Sequence, residues 1–79
     1  MALIRSFEMR TLERGGIHPT RVDCEWAVFE QDGKRLLQLD TYGSDHRKDK
    51  GTVSQTLQLD WAGARELHRI LQRAFPGMS

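Results

Sequence analysis

Two runs of residues, Val22–Gln31 and Lys34–Tyr42, flank the dipeptide Asp32-Gly33. Apolar and polar positions alternate along much of both runs, as they do in a strand with one buried face, and Asp-Gly is a preferred two-residue hairpin turn. Counting outward from a tight turn fixes the register. Gln31 faces Lys34, Glu30 faces Arg35, Val28 faces Leu37, Trp26 faces Leu39 and Cys24 faces Thr41. The pairs Val28–Leu37, Trp26–Leu39 and Cys24–Thr41 form one apolar face, expected to be the core. On the other face Phe29 meets Leu36, Ala27 meets Gln38, Glu25 meets Asp40 and Asp23 meets Tyr42.

The flanking segments follow the same logic. Arg5–Leu12 alternates, with Phe7, Met9 and Thr11 on one side, and predicts a first strand ended by Glu13-Arg14-Gly15-Gly16. Pro19 then biases His18 toward extended geometry. Gly43–Thr52 is polar and reads as a loop. Val53–Leu59 predicts a further strand, with Leu57 and Leu59 inward and Ser54, Thr56 and Gln58 outward. Leu37-Gln38-Leu39-Asp40 recurs as Leu57-Gln58-Leu59-Asp60, as two strands built on one inside–outside rule would. Asp60 is a good N-cap. From Trp61 to Phe75, apolar residues at 61, 64, 67, 70, 71 and 74 give helical spacing, and Pro76-Gly77 stops the helix. The expectation is a single small α+β domain over residues 1–79. It consists of a four-stranded antiparallel sheet in the order β-β-β-β-α, with the C-terminal helix packed on one face.

Composition narrows the partners. The chain has 79 residues, and twelve Lys and Arg against eleven Asp and Glu give a net charge of +1. This excludes a polyanion binder that is basic all over, and leaves room for a local basic patch. With 38% hydrophobic residues and a mean hydropathy of -0.60, the core is expected to be thin, and a homodimer would bury more surface. The single Cys24 forbids an internal disulfide and points to a reducing, cytoplasmic compartment. Arg5, Glu8 and Arg10 interrupt the apolar stretch that a signal peptide needs, and no apolar run approaches a membrane span.

Several constellations carry possible chemistry. His46, Arg47, Lys48 and Lys50 make the polar loop basic, and Lys34 and Arg35 sit at the hairpin turn. Long flexible cations reach phosphates without demanding a base sequence. The alternative is a solvated loop partly neutralised by Asp45 and Asp49. On the sheet face, Tyr42 and Phe29 offer rings on which unpaired bases stack, and Gln38, Gln55 and Gln58 offer amides for base edges. Ordinary surface polarity accounts for the glutamines equally well. Glu25 opposite Asp40, with Asp23 nearby, places like charges together and calls for compensation by an arginine such as Arg10, a metal or a partner. The lysine that accompanies such carboxylates in metal-dependent nucleases is missing. Arg65, Arg69 and Arg73 share a helix face, readable as a solvated stripe or as an interface with an acidic partner. His18, His46 and His68 have no zinc-ligand spacing, and there is no nucleophile elbow or glycine-rich phosphate loop. No catalysis, cofactor or small-molecule substrate is expected.

The hairpin Cys24–Tyr42, the basic loop after it, and Ser54–Leu59 running into the Asp60-capped helix together resemble the DNA-binding domain of the transcriptional coactivator positive cofactor four and its bacterial relatives. The resemblance covers roughly residues 22–73 and lies in element order, turn placement and loop placement. It implies a β-β-β-β-α unit that dimerises through its helices and grips single-stranded DNA in grooves lined by sheet and loop. By position, Lys34 matches a basic turn residue, Arg47, Lys48 and Lys50 match the basic loop, and Tyr42 matches an aromatic late in the third strand. The chain carries Gln31-Asp32 where that family has an aromatic-basic pair, and Asp40 where it has an arginine. His18-Pro-Thr, Leu39–Ser44 and Ser54-Gln55 also resemble segments of short bacterial proteins labelled methionyl-tRNA formyltransferase-like, although 79 residues cannot hold that enzyme. The expectation drawn from these features is a non-catalytic, homodimeric module for single-stranded nucleic acid. Lys34, Arg35, Tyr42, Arg47, Lys48, Lys50, Gln55 and Gln58 would form its contacts. The alternative is an interaction or regulatory subunit docking through the arginine-striped helix or a sheet edge.

Overall fold

The computed structural model describes residues 1–43 and 53–78. Its elements are β1 (Ala2–Leu3), β2 (Cys24–Gln31), β3 (Lys34–Tyr42), β4 (Val53–Leu59) and α1 (Trp61–Ala74). The fold is α+β, with one four-stranded sheet in the order β1-β4-β3-β2 and one C-terminal helix.

The hairpin has the register that counting from its turn predicts, from Gln31 opposite Lys34 to Cys24 opposite Thr41. Asp32 and Gly33 have φ of 54° and 76°, the positive pair that a type I′ turn needs to match the twist of its strands. β4 pairs antiparallel with β3, Leu37 to Leu59 and Leu39 to Leu57, with an irregularity at Thr41/Tyr42. There the Ser54 hydroxyl donates to the Thr41 carbonyl at 3.3 Å and shares a hydrogen bond with the Thr41 hydroxyl at 3.0 Å.

The N-terminal strand departs from expectation. Arg5–Leu12 is not a strand; the edge of β4 is taken by Ala2–Leu3 instead, running parallel to it, so the sheet is mixed rather than antiparallel. Ala2 pairs with Leu57, Leu3 with Gln58, and the Ile4 amide donates to the Gln58 carbonyl at 3.0 Å. With β4 antiparallel to β3 and β3 antiparallel to β2, strand β1 is also parallel to β2 at the far edge. Parallel strands cannot be joined by a tight turn, and residues 4–23 are spent on the crossover. The alternation in Arg5–Leu12 therefore has no strand to pair with, and residues 8–23 are exposed.

Helix α1 begins where expected. The Asp60 carboxylate accepts from the Gly63 amide at 2.8 Å, and the Phe75 amide closes the last turn on the Leu71 carbonyl at 2.9 Å. Its first turn lies against Leu59: a Cβ on Gly63 would stand 3.4 Å from Leu59 Cδ2 and 3.6 Å from the Ile4 carbonyl. Ala64, Leu67, Ile70 and Leu71 are half-buried, and among the described strands the helix contacts β3 and β4.

The expected core is correspondingly incomplete. Leu59 is 2% exposed and is the one buried hydrophobic side chain among the described residues. Leu37 and Leu39 on the same face are half-buried, but Trp26 and Val28 on β2 are 70% and 46% exposed, and Cys24 is exposed. The reason is width. An α-helix is about 10–12 Å across and strands lie about 4.8 Å apart, so one helix covers roughly two strands. Among the described residues no helix is long and apolar enough to cross a membrane.

Candidate functional site

The sheet face that carries Leu36, Gln38, Asp40 and Tyr42 has a different character. Across β4, β3 and β2 its side chains bond to one another. Gln58 Nε2 donates to Gln38 Oε1 at 2.9 Å, and Gln38 Nε2 in turn reaches the Asp40 carboxylate at 3.1 and 3.2 Å. Thr56, buried, donates its hydroxyl to Asp40 Oδ1 at 2.6 Å. Beside this run the Tyr42 hydroxyl donates to Glu25 Oε1 at 2.9 Å. Glu25 and Asp40 do lie opposite each other, and these neutral donors are what compensate the pair. Among the described residues no group of three His, Cys, Asp or Glu side chains is placed to hold a metal ion.

The network sets the ionisation of two members. The Thr56 hydroxyl, and after it the Gln38 amide, hold the Asp40 carboxyl below the usual aspartate range, against a small opposing effect of desolvation. The phenol of Tyr42 is pushed up, first by its hydrogen bond to Glu25, then by desolvation and by the negative charges around it, Glu25 before Asp40.

At the hairpin end of this face the ladder gives way to a concavity of about 310 Å³. Leu3, Phe29 and Leu36 supply its apolar part; Gln58, Gln31 and Lys34 supply amides and a cation; Asp32 and Asp60 supply two carboxylates. Asp60 is engaged as the helix cap. One cation against two carboxylates does not favour a phosphate inside, whereas an apolar floor with amides at its edge suits a planar, partly polar group.

The residues expected to form one site are thus divided. Lys34 and Gln58 line the concavity together with Phe29. Tyr42 lies on the same face, eight positions along β3 from Lys34, or about 27 Å at the usual rise of a strand. Arg35 and Gln55 belong to the opposite face, Arg35 in an exposed ion pair with Glu30 at 3.3 Å and Gln55 opposite Thr41. On the helix Arg65 and Arg73 are exposed and Arg69 pairs with Glu66 at 3.6 Å. Arg47, Lys48 and Lys50 lie outside the described residues. Sequence reasoning did not find Leu3 and Leu36 as lining residues. The Phe29–Leu36 pair was readable from the hairpin register, but Leu3 depends on a strand that the pattern did not reveal.

No protein-family model matches this chain, and no curated protein or solved structure matches it either.

Proposed function

We propose that this protein is a non-catalytic nucleic-acid-binding module that prefers single strands and works as a homodimer. The observation that carries the reading is the concavity formed by Phe29, Leu36, Leu3, Gln58 and Lys34. A base freed from a duplex presents an apolar face and a polar edge, and those are the two kinds of surface gathered here. Lys34 then meets a neighbouring phosphate, and Tyr42 offers a second ring farther along the same face. Sequence supports the phosphate contacts: Arg47, Lys48 and Lys50 fall between two strands that both contribute to this face. The resemblance of the Cys24–Tyr42 hairpin and the Asp60-capped helix to the positive cofactor four domain is the sequence expectation that this reading follows. Asp40 and Glu25 oppose a phosphate laid across the middle of the sheet, so the phosphate contacts are expected at the two ends of β3, at Lys34 beside the hairpin turn and in the loop that follows Tyr42.

The test is a titration with labelled single- and double-stranded oligonucleotides of equal length at two salt concentrations. The expected result is tighter binding of the single strand, weakened by salt, with a flatter salt dependence in the Arg47/Lys48/Lys50→Ala triple variant. A Phe29→Ala variant is expected to lose affinity without changing that dependence, since a stacked base releases no counterions. Equal affinity of wild type and both variants, or no binding at low salt, overturns the reading.

A further inference from the structure

We infer that the exposed apolar face of β2, centred on Trp26 and Val28, is the contact surface for a second copy of this chain. The inference rests on the dimeric part of the reading above and gives that dimer an interface on the sheet rather than on the arginine stripe of the helix. Trp26 and Val28 project from the same face as Leu59 and continue its apolar surface through Leu37 and Leu39, but the helix stops short of β2. Leu57, 41% exposed, extends the patch along β4.

The area asks for a partner. A folded monomer of 9.1 kDa exposes about 4,900 Å² by the usual scaling with mass, yet this chain exposes 7306 Å². Its radius of gyration is 14.9 Å, against about 12 Å for a compact domain of 79 residues. The exposed residues 8–23 account for part of the excess, and the open face of β2 for another part. A standard interface removes about 800 Å² from each partner, which lies within that excess. One buried leucine is a slender core for a chain of this length, and burial of a tryptophan in a protein interface would enlarge it.

A second copy fits better than an unlike partner for two reasons. The patch is apolar, the Glu30–Arg35 ion pair that borders it sums to zero, and the chain has a net charge of only +1, so two copies meet with little repulsion. A two-fold contact also needs only one self-complementary patch. The arginine stripe, by contrast, would set like charges against each other.

The test is sedimentation of the full chain over roughly a hundred-fold range of concentration, with melting curves at each step. The wild type is expected at twice its chain mass, with a Tm that rises with concentration. Trp26→Glu and Val28→Glu are expected to weaken association by about tenfold or more, while Lys34→Glu, on the opposite face, leaves it intact. Should the first two fail to fold, labelling of the exposed Cys24 in the wild type reports the same face: its rate is expected to fall as the dimer forms. A monomer with a concentration-independent Tm overturns the inference. So does a dimer unaffected by both glutamate substitutions, or one in which Cys24 labels as fast as in the monomer. A dimer that binds no oligonucleotide refutes the nucleic-acid reading alone, and a monomer that binds one refutes the dimer alone.

Discussion

The two faces of the sheet are both only partly covered, and for opposite reasons. On one, Leu59 is covered and Leu37 and Leu39 are half-buried on the helix side, while Trp26, Val28 and Leu57 are left in solvent, because a single helix spans two strands and the hairpin adds a third. On the other, no helix is needed. Gln58, Gln38, Asp40 and Thr56 bond in a row, and Tyr42 holds Glu25. Exposure therefore means different things on the two sides. An exposed tryptophan on the first is unspent hydrophobic surface. The polar ladder on the second is already satisfied, and what remains open there is the concavity at its end.

The comparison breaks most completely at Leu59, the one described hydrophobic side chain that is fully covered. Leu59→Ala is expected to cost about 2–5 kcal/mol, most of the stability of so small a domain, and a urea titration followed by circular dichroism measures it. An effect below 1 kcal/mol would mean that the helix side is not the core.

Loss of the helix cap comes next. Asp60→Ala removes the acceptor of the Gly63 amide and is expected to cost about 0.5–2 kcal/mol, read as a lower Tm. Asp60→Asn is expected to restore most of it, because the cap needs an oxygen rather than a charge.

The polar face is sharpened by pH. A carboxyl held below its ordinary value favours the folded state above pH 3.8, and that contribution is lost as pH falls through the folded-state pKa. Thr56→Val removes the strongest donor to Asp40, so NMR titration of the Asp40 carboxyl is expected to move up toward 3.8 and the acid loss of stability to become shallower. For Tyr42 the sign is reversed: its raised pKa favours the fold below pH 10.0, a contribution lost as pH rises through the folded-state value, and Tyr42→Phe removes that alkaline limb.

The smallest effect belongs to the exposed pair of Arg35 and Glu30, with side chains 66% and 62% accessible. Arg35→Ala is expected to change stability by no more than about 0.5 kcal/mol in the same urea titration, and to leave oligonucleotide affinity unchanged, since Arg35 faces away from the concavity.

What was legible in the sequence was whatever local chemistry determines. The Asp32-Gly33 turn fixed every pair of the hairpin, because a two-residue turn leaves no freedom of register. Asp60 and the apolar spacing after it placed the helix, and Val53–Leu59 kept its bounds. The strand Ala2–Leu3 was not legible: two residues show no alternation, and parallel pairing with Leu57 and Gln58 joins positions far apart in the chain. Arg5–Leu12 had the alternation without a free edge to use it. The site was half legible for a related reason. The sequence reading grouped Lys34, Arg35, Tyr42, Gln55 and Gln58 in one site, whereas the register puts Arg35 and Gln55 on the face opposite the other three.

The central claim is that the two faces have different occupants, a second copy on the Trp26 side and an unpaired base on the Gln58 side. One titration of ¹⁵N-labelled protein with a short single-stranded oligonucleotide, held at a concentration where the dimer is formed, reads both faces through their side chains. The account predicts that the side-chain amide signals of Gln38 and Gln58 shift while the Trp26 indole signal stays in place. An oligonucleotide that moves the Trp26 indole and leaves those amides unchanged would contradict it.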